Sequence, residues 1–167
     1  MFDRLRLLVT MSLLLGFAAL PAASWAQKGR IKIAVQAPLS GEQAALGEHI
    51  KLGAQLAVEE ASKAFKDLGY ELVLVAQDDQ AKPEVGVANA RNMVADPDVL
   101  VIVGHFNSGV ALPSSEVYKD AMLTMISPAN TATEITDRGY PNVNRVCGRD
   151  DVQGPVGARF PDRKSVV

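Results

Sequence analysis

Val99-Leu100-Val101-Ile102-Val103-Gly104-His105-Phe106-Asn107-Ser108-Gly109 passes from five consecutive apolar residues straight into a polar loop bounded by glycines. An unbroken apolar run of this length, rich in β-branched residues, predicts a strand buried on both faces, as in a parallel sheet covered by helices. The loop behind it predicts a turn into a helix over 110–121, with Asn107 or Ser108 as its cap and Pro113 in its first turn. In open sheets of this kind ligands collect beyond the carboxyl ends of the strands, where helix N-termini face the crevice.

The same alternation of short apolar runs and longer amphipathic stretches extends in both directions. Upstream, Ile31-Lys32-Ile33-Ala34-Val35 reads as a first strand, broken by Pro38-Leu39-Ser40-Gly41. Leu46, Ile50, Gly53, Ala57, Ala61, Ala64 and Leu68 then recur every three or four residues and predict one face of a long helix that stops near Gly69. Glu71 to Gln77 is a second strand. Pro83 opens a helix to about Val94 with Val85, Ala88, Asn89, Met93 and Val94 near one face. Downstream, a short strand around Leu123 to Ile126, the loop Ser127 to Thr131, a helical turn through Glu134 and Ile135, and a strand over Asn144 to Cys147 complete the series. The fold class is α/β, a three-layer αβα Rossmann-like parallel sheet. Three loops lie at predicted strand ends: Pro38 to Gly47, Gly104 to Gly109, and Ser127 to Thr131.

The first 26 residues have a different character. Arg4 and Arg6 precede an apolar run from Leu7 to Leu20, followed by Pro21 and the small-residue segment Ala22-Ala23-Ser24-Trp25-Ala26. That layout predicts a secretory signal peptide cut after Ala26, which implies a periplasmic location and no membrane span once it is removed. The 167 residues carry a net charge of −2, with both signs interspersed, so nothing points to nucleic acid or an anionic membrane. Cys147 is the only cysteine and cannot form an internal disulfide; it is expected to pack as a small apolar residue.

Chemistry is sparse. His105 and His49 are the only histidines, and neither has a neighbouring set of cysteines, histidines or carboxylates at metal-ligand spacing. Asp78 and Asp79 are adjacent, so on a strand they face opposite ways. There is no G-x-G-x-x-G after the first strand, no P-loop and no G-x-S-x-G elbow; no enzyme, cofactor or metal is expected. Two loops remain. Asn107 and Ser108 can leave helix N–H groups free for an anion, or can merely cap the helix. Ser127-Pro128-Ala129-Asn130-Thr131 can offer a carbonyl at Ala129 and a hydroxyl at Thr131, or can be an ordinary strand-to-helix turn.

Taken in order along the chain, Pro38-Leu39-Ser40-Gly41, Gly53-Ala54-Gln55-Leu56-Ala57-Val58-Glu59, Asp78-Asp79, Ala88-Asn89, Val103-Gly104-His105, Pro113-Ser114-Ser115-Glu116-Val117-Tyr118, Ser127-Pro128-Ala129 and Asp151-Val152-Gln153-Gly154-Pro155 resemble one family. It is the periplasmic substrate-binding proteins of branched-chain amino acid ABC transporters, type I periplasmic binding proteins of the leucine/isoleucine/valine kind. The resemblance runs from about Ile31 to Phe160. It implies that Ser108, beside Asn107, binds a ligand carboxylate, and that Ala129 offers its carbonyl to the ammonium. Thr131, beside Asn130, would contribute its hydroxyl and backbone. The partners implied are a small aliphatic amino acid and the membrane permease of an ABC transporter.

Leu46 stands where leucine-binding relatives often carry a tyrosine against the ligand side chain. Both cysteines of the family's common first-lobe disulfide are missing, with Gln80 or Ala81 and Asn107 in their region. The chain also ends soon after Gly154, where relatives cross to a second lobe. The division expected from the resemblance is residues 1–26 as signal peptide, 27–150 as the N-terminal ligand-binding lobe, and 151–167 as the crossover and truncated start of a second lobe, whose helix begins near Gln153 and is broken by Pro161. Three other readings stay open: a truncated fragment without transport activity, a receptor for another small amide or amino acid, and an enzyme on a Rossmann-like sheet.

Overall fold

A loop after each strand and a helix or helical turn before the next produce a βα series that forms one sheet. The computed structural model describes residues 28–162; the expected signal peptide lies outside them. The elements are β1 (Gly29–Ala37), α1 (Ala44–Asp67), β2 (Tyr70–Asp78), α2 (Pro83–Val94), β3 (Val99–Gly104), α3 (Ser108–Asp120), β4 (Thr124–Ser127), α4 (Glu134–Asp137), β5 (Val143–Arg145) and α5 (Asp150–Asp162). The five strands are all parallel, in the order β2-β1-β3-β4-β5. The chain leaves β1 to one side for β2 and returns to its other side for β3. That reversal is the switch point at which a crevice opens beyond the strand ends.

The main core lies between the sheet and the α2–α3 pair. Ala34, Ile102 and Met125 from adjacent strands meet Ala90 and Met93 of α2 and Ala111 and Tyr118 of α3. Gln36 is buried on the same face, where its amide donates to the Gly86 carbonyl at 2.7 Å and its oxygen accepts from the Tyr118 hydroxyl. Every polar atom of that side chain therefore has a partner, which is what allows it to sit in the core. Ala88, expected on the inner face of α2, is exposed. Gly86 and Ala90 are buried instead, so that α2 can approach α3 closely.

The inner face of α1 is rotated by about one residue from the expected one. Gly47 is its only fully buried residue, and Ile50, Ala54, Val58, Ala61 and Phe65 are half-buried along one line. Leu46, Leu52, Leu56 and Leu68 are exposed. Helix α1 lies over β1 and β2 and only lightly over β3. This corrects the expectation that β3 is buried on both faces. Val101 and Val103 are only half-buried, and Leu100, the extra residue where the β1–β3 register slips, is 54% exposed.

Helix α3 begins at Ser108, two residues earlier than expected, so Pro113 lies within the helix rather than in its first turn. Its ring removes one donor, and the carbonyl left over belongs to the exposed Gly109. Helix α5 likewise starts at Asp150 instead of near Gln153 and continues to Asp162, past the expected break. Asp150 and Asp151 occupy its first turn, where carboxylates complement the helix dipole.

Candidate functional site

β1, β3 and β4 are neighbours in the sheet, so the three loops at their carboxyl ends lie side by side along one edge. The first loop is pinned from two directions. Asp78, the last residue of β2, accepts from the Leu39 amide at 2.8 Å and the Gln80 amide at 2.9 Å. Partial burial raises the pKa of this carboxyl, but hydrogen bonds from the Ser40 hydroxyl and the Leu39, Gln80 and Ser40 amides outweigh that and hold it below the usual value. Gly47 closes the loop onto α1, because a Cβ there would collide with the Pro38 carbonyl. Leu46, beside it, is 45% exposed.

The second loop leaves β3 at Gly104, which is forced by the sheet: a Cβ would run into the Gln36 carbonyl of β1. Asn107 is the N-cap of α3 by its extended backbone, yet its side chain makes no capping bond and its buried Oδ1 has no partner among the described residues. The Asn107 carbonyl takes the amides of Val110 and Ala111 at 3.1 and 3.0 Å. No described group accepts from the amides of Ser108 or Gly109. The helix therefore presents free donors with its positive end, an arrangement worth about 0.3–1 kcal/mol to an exposed anion and up to ~2 when partly buried. Ser108 Oγ accepts from the Ala132 amide at 3.3 Å, which leaves the hydroxyl proton available to a ligand oxygen. Neither Asn107 nor Ser108 uses its side chain to cap the helix.

The third loop contains residues of two kinds. Ala129 and Thr131 are half-buried, and no described group bonds to the Ala129 carbonyl or the Thr131 hydroxyl. Asn130 between them is wholly buried. Its Oδ1 accepts from the His105 amide at 3.0 Å and the Ser127 hydroxyl at 2.7 Å, and its own amide donates to Ser127 Oγ at 3.0 Å. Its carbonyl accepts from Arg145 and from the Cys147 thiol. Asn130, expected among the ligand-binding residues, thus turns inward and ties loops together; it has no surface to offer a ligand. Arg145 reinforces this from β5 by also donating to the Thr133 carbonyl at 3.0 Å and to Thr136 Oγ1 at 2.7 Å.

The structure brings together two residues that sequence reasoning kept apart. His105 Nδ1 lies 3.1 Å from Asp79 Oδ2, and both side chains are fully buried. Burial pushes the His105 pKa down, and the hydrogen bond and charge of Asp79 offset that only in part. His105 Nε2 has no partner among the described residues, and protonation would bury a bare N–H, so the neutral ring with its proton on Nδ1 is favoured. The signal was the Asp78-Asp79 and Gly104-His105 pairs at the ends of separate strands. It becomes readable only once the strand order is known. Among the described residues no group of three or more potential ligands could hold a metal, and no helix is long and apolar enough to cross a membrane.

Comparison with known proteins fits this geometry. A family model described as periplasmic binding protein matches residues 30–163. The chain is 43% identical over 130 residues to the Leu/Ile/Val-binding protein BraC3 of Rhizobium johnstonii, covering 78% of this chain and 35% of that protein. It is 38% identical to a leucine-, isoleucine-, valine-, threonine- and alanine-binding protein of Pseudomonas aeruginosa, over 86% of this chain and 39% of that one. Among solved structures, a substrate-binding protein of an ABC transporter from Desulfitobacterium hafniense, in complex with Leu, superposes with a TM-score of 0.71 at 32% identity, covering 81% of this chain and 39% of that one. The isoleucine complex of LivJ from Streptococcus pneumoniae gives a TM-score of 0.74 at 27% identity, over 81% and 38% of the two chains. The chain spans between about a third and two fifths of the length of the curated relatives it matches. From its fold, the matched residues and these relatives, the chain belongs to the periplasmic binding protein family.

Proposed function

We propose that this chain carries one wall of a receptor site for a branched-chain or related aliphatic amino acid, serving a periplasmic ABC-type uptake system. The observation that carries the reading is the pairing of opposite chemistries at adjacent strand ends. The free Ser108 and Gly109 amides with the Ser108 hydroxyl suit a carboxylate, while the unpartnered Ala129 carbonyl and Thr131 hydroxyl suit an ammonium. Leu46, exposed where the first loop of the same edge enters α1, offers apolar surface to an aliphatic side chain. The names of the relatives support the ligand class, and with it a permease as the protein partner and binding rather than catalysis as the activity.

Residues 27–150 act in this reading as the N-terminal lobe, and α5 leads away from it. Val152, Val156 and Phe160, spaced four apart on α5, are all exposed, as befits a helix whose apolar stripe packs on a further lobe rather than on this sheet. A single wall forgoes the desolvation and contacts that closure of a second lobe supplies. Leucine, isoleucine or valine titrated into this chain by calorimetry should bind in the millimolar range, about −4 kcal/mol. Submicromolar binding would contradict the one-wall reading. A flat titration with all three would contradict the amino-acid reading.

A further inference from the structure

We propose that the buried Asp79–His105 pair is a positioning device that, through Asn130, makes the Asn107–Ser108 loop and the Ser127–Thr131 loop a single rigid unit. The inference deepens the function proposed above and rests on it for what the loops hold, but the coupling itself can be observed without ligand.

Asp79 is the fixed end. Its amide donates to the Ala37 carbonyl at 3.1 Å, its carbonyl accepts from Lys82 at 2.8 Å, and its Oδ1 accepts from the Ala81 amide at 2.9 Å. Gln80 and Ala81 both adopt the left-handed region, at φ 53° and 57°. That conformation is costly for residues with a Cβ, and it persists where surrounding bonds over-determine it. The remaining oxygen, Oδ2, holds the His105 ring by Nδ1. The ring lies against Tyr118, centroids 6.2 Å apart and planes inclined by 28°, and Tyr118 is itself tied to Gln36. His105 therefore has one orientation, which fixes the backbone three residues before Ser108.

From His105 the constraint passes to the other loop. The His105 amide reaches Asn130 Oδ1 at 3.0 Å, and Asn130 is flanked by Ala129 and Thr131. Ser108 closes the circuit through the Ala132 amide at 3.3 Å. None of Asp79, His105 and Asn130 is exposed, so none can touch a ligand; they act through the residues that do. Stability alone does not account for the pair, since an apolar pair of similar volume would leave no unpartnered Nε2 and no buried carboxylate.

The test uses the full chain labelled with 15N, as wild type and as His105→Asn, His105→Gln and Asp79→Asn. Asn places a donor where Nδ1 sits, whereas Gln is larger but places its donor one atom further out. A role in filling space ranks Gln above Asn, and a positioning role ranks Asn above Gln. The expected result is that His105→Asn keeps the wild-type amide shifts of residues 107–109 and 129–132. His105→Gln and Asp79→Asn should move both sets together and speed amide exchange there about tenfold. Gln equal to or better than Asn, or loops that shift independently, would overturn the proposal. So would a wild-type imidazole spectrum showing the proton on Nε2, a measurement that needs no variant. Leucine added to the wild type tests the amino-acid reading separately, because its failure to shift any of these amides leaves the ligand-free comparison standing.

Discussion

The Asp150 amide donates to the Thr131 carbonyl at 2.9 Å, so the first residue of α5 is bonded directly to the loop that carries the candidate ammonium site. Arg149, one residue earlier, reaches back to Asp137 of α4 at 2.6 Å and forward to Asp151 at 2.9 Å. These contacts register the start of α5 against the Ser127–Thr131 loop. The ion pairs are solvent-exposed and contribute little to global stability. Arg149→Ala should therefore leave the melting temperature nearly unchanged while exchange of the Asp150 amide quickens. Hydrogen exchange by mass spectrometry reads the second effect, and unchanged protection of residues 149–153 would contradict the assignment.

Asn130→Ala removes the acceptor of the buried His105 amide and of the Ser127 hydroxyl. A buried donor left unsatisfied costs about 1–3 kcal/mol, so the loss for this variant should be about 2–4 kcal/mol. Urea unfolding measures it through the shift in midpoint at constant slope.

Met122 follows α3 at φ 55° and is 64% exposed. The Met122 amide donates to Lys119 at 3.1 Å and the Leu123 amide to Tyr118 at 2.9 Å, which is the Schellman arrangement that favours glycine at this position. Met122→Gly relieves about 1–2 kcal/mol of backbone strain and gives back about half of it in unfolded-state entropy. A net gain of about 0.5–1 kcal/mol is expected in thermal or urea unfolding.

Burial holds the His105 pKa below its ordinary 6.5, with Asp79 offsetting part of the effect. The unfolded chain then binds more protons than the folded one once the pH drops below that ordinary value. Stability is fully present above about pH 6.5 and declines as the pH falls toward the folded value, by at most about 1.4 kcal/mol per pH unit. Asp78, Asp96, Asp137 and Asp151, all lowered, add their losses only near and below the ordinary carboxylate range. His105→Asn should flatten the decline between about pH 5 and 6.5, and an unaltered slope in urea titrations would remove His105 as its source.

Much of this architecture is legible in the sequence because strand ends announce themselves locally. Gly104 to Gly109 and Ser127 to Thr131 follow apolar runs, and α2 starts at Pro83 and ends at Val94 where the punctuation puts them. What fails is whatever depends on neighbours distant in the chain. The leucines of α1 outweigh its small residues in any reading of periodicity, yet the sheet takes the side with Gly47 and Ala54, because close approach to Pro38 requires the absence of a Cβ. Leu100 reads as core, and is exposed because the strand register slips at that residue. Asn130 reads as a ligand residue beside Ala129 and Thr131, but its burial belongs to a contact with His105 across 25 positions. Asp79 and His105 are separated by 26 positions and directly follow β2 and β3, strands that are not adjacent.

In the proposed site Ser108 with Gly109 takes a carboxylate while Ala129 with Thr131 takes an ammonium. Amide spectra of the 15N-labelled chain, recorded with leucine, with 4-methylpentanoate and with 3-methylbutylamine, test it residue by residue. Leucine should move Ser108, Gly109 and Thr131 together, the carboxylate alone should move Ser108 and Gly109, and the amine alone should move the 129–131 segment. Equal responses of both segments to both analogues, or leucine shifts confined to other parts of the sheet, would contradict the account.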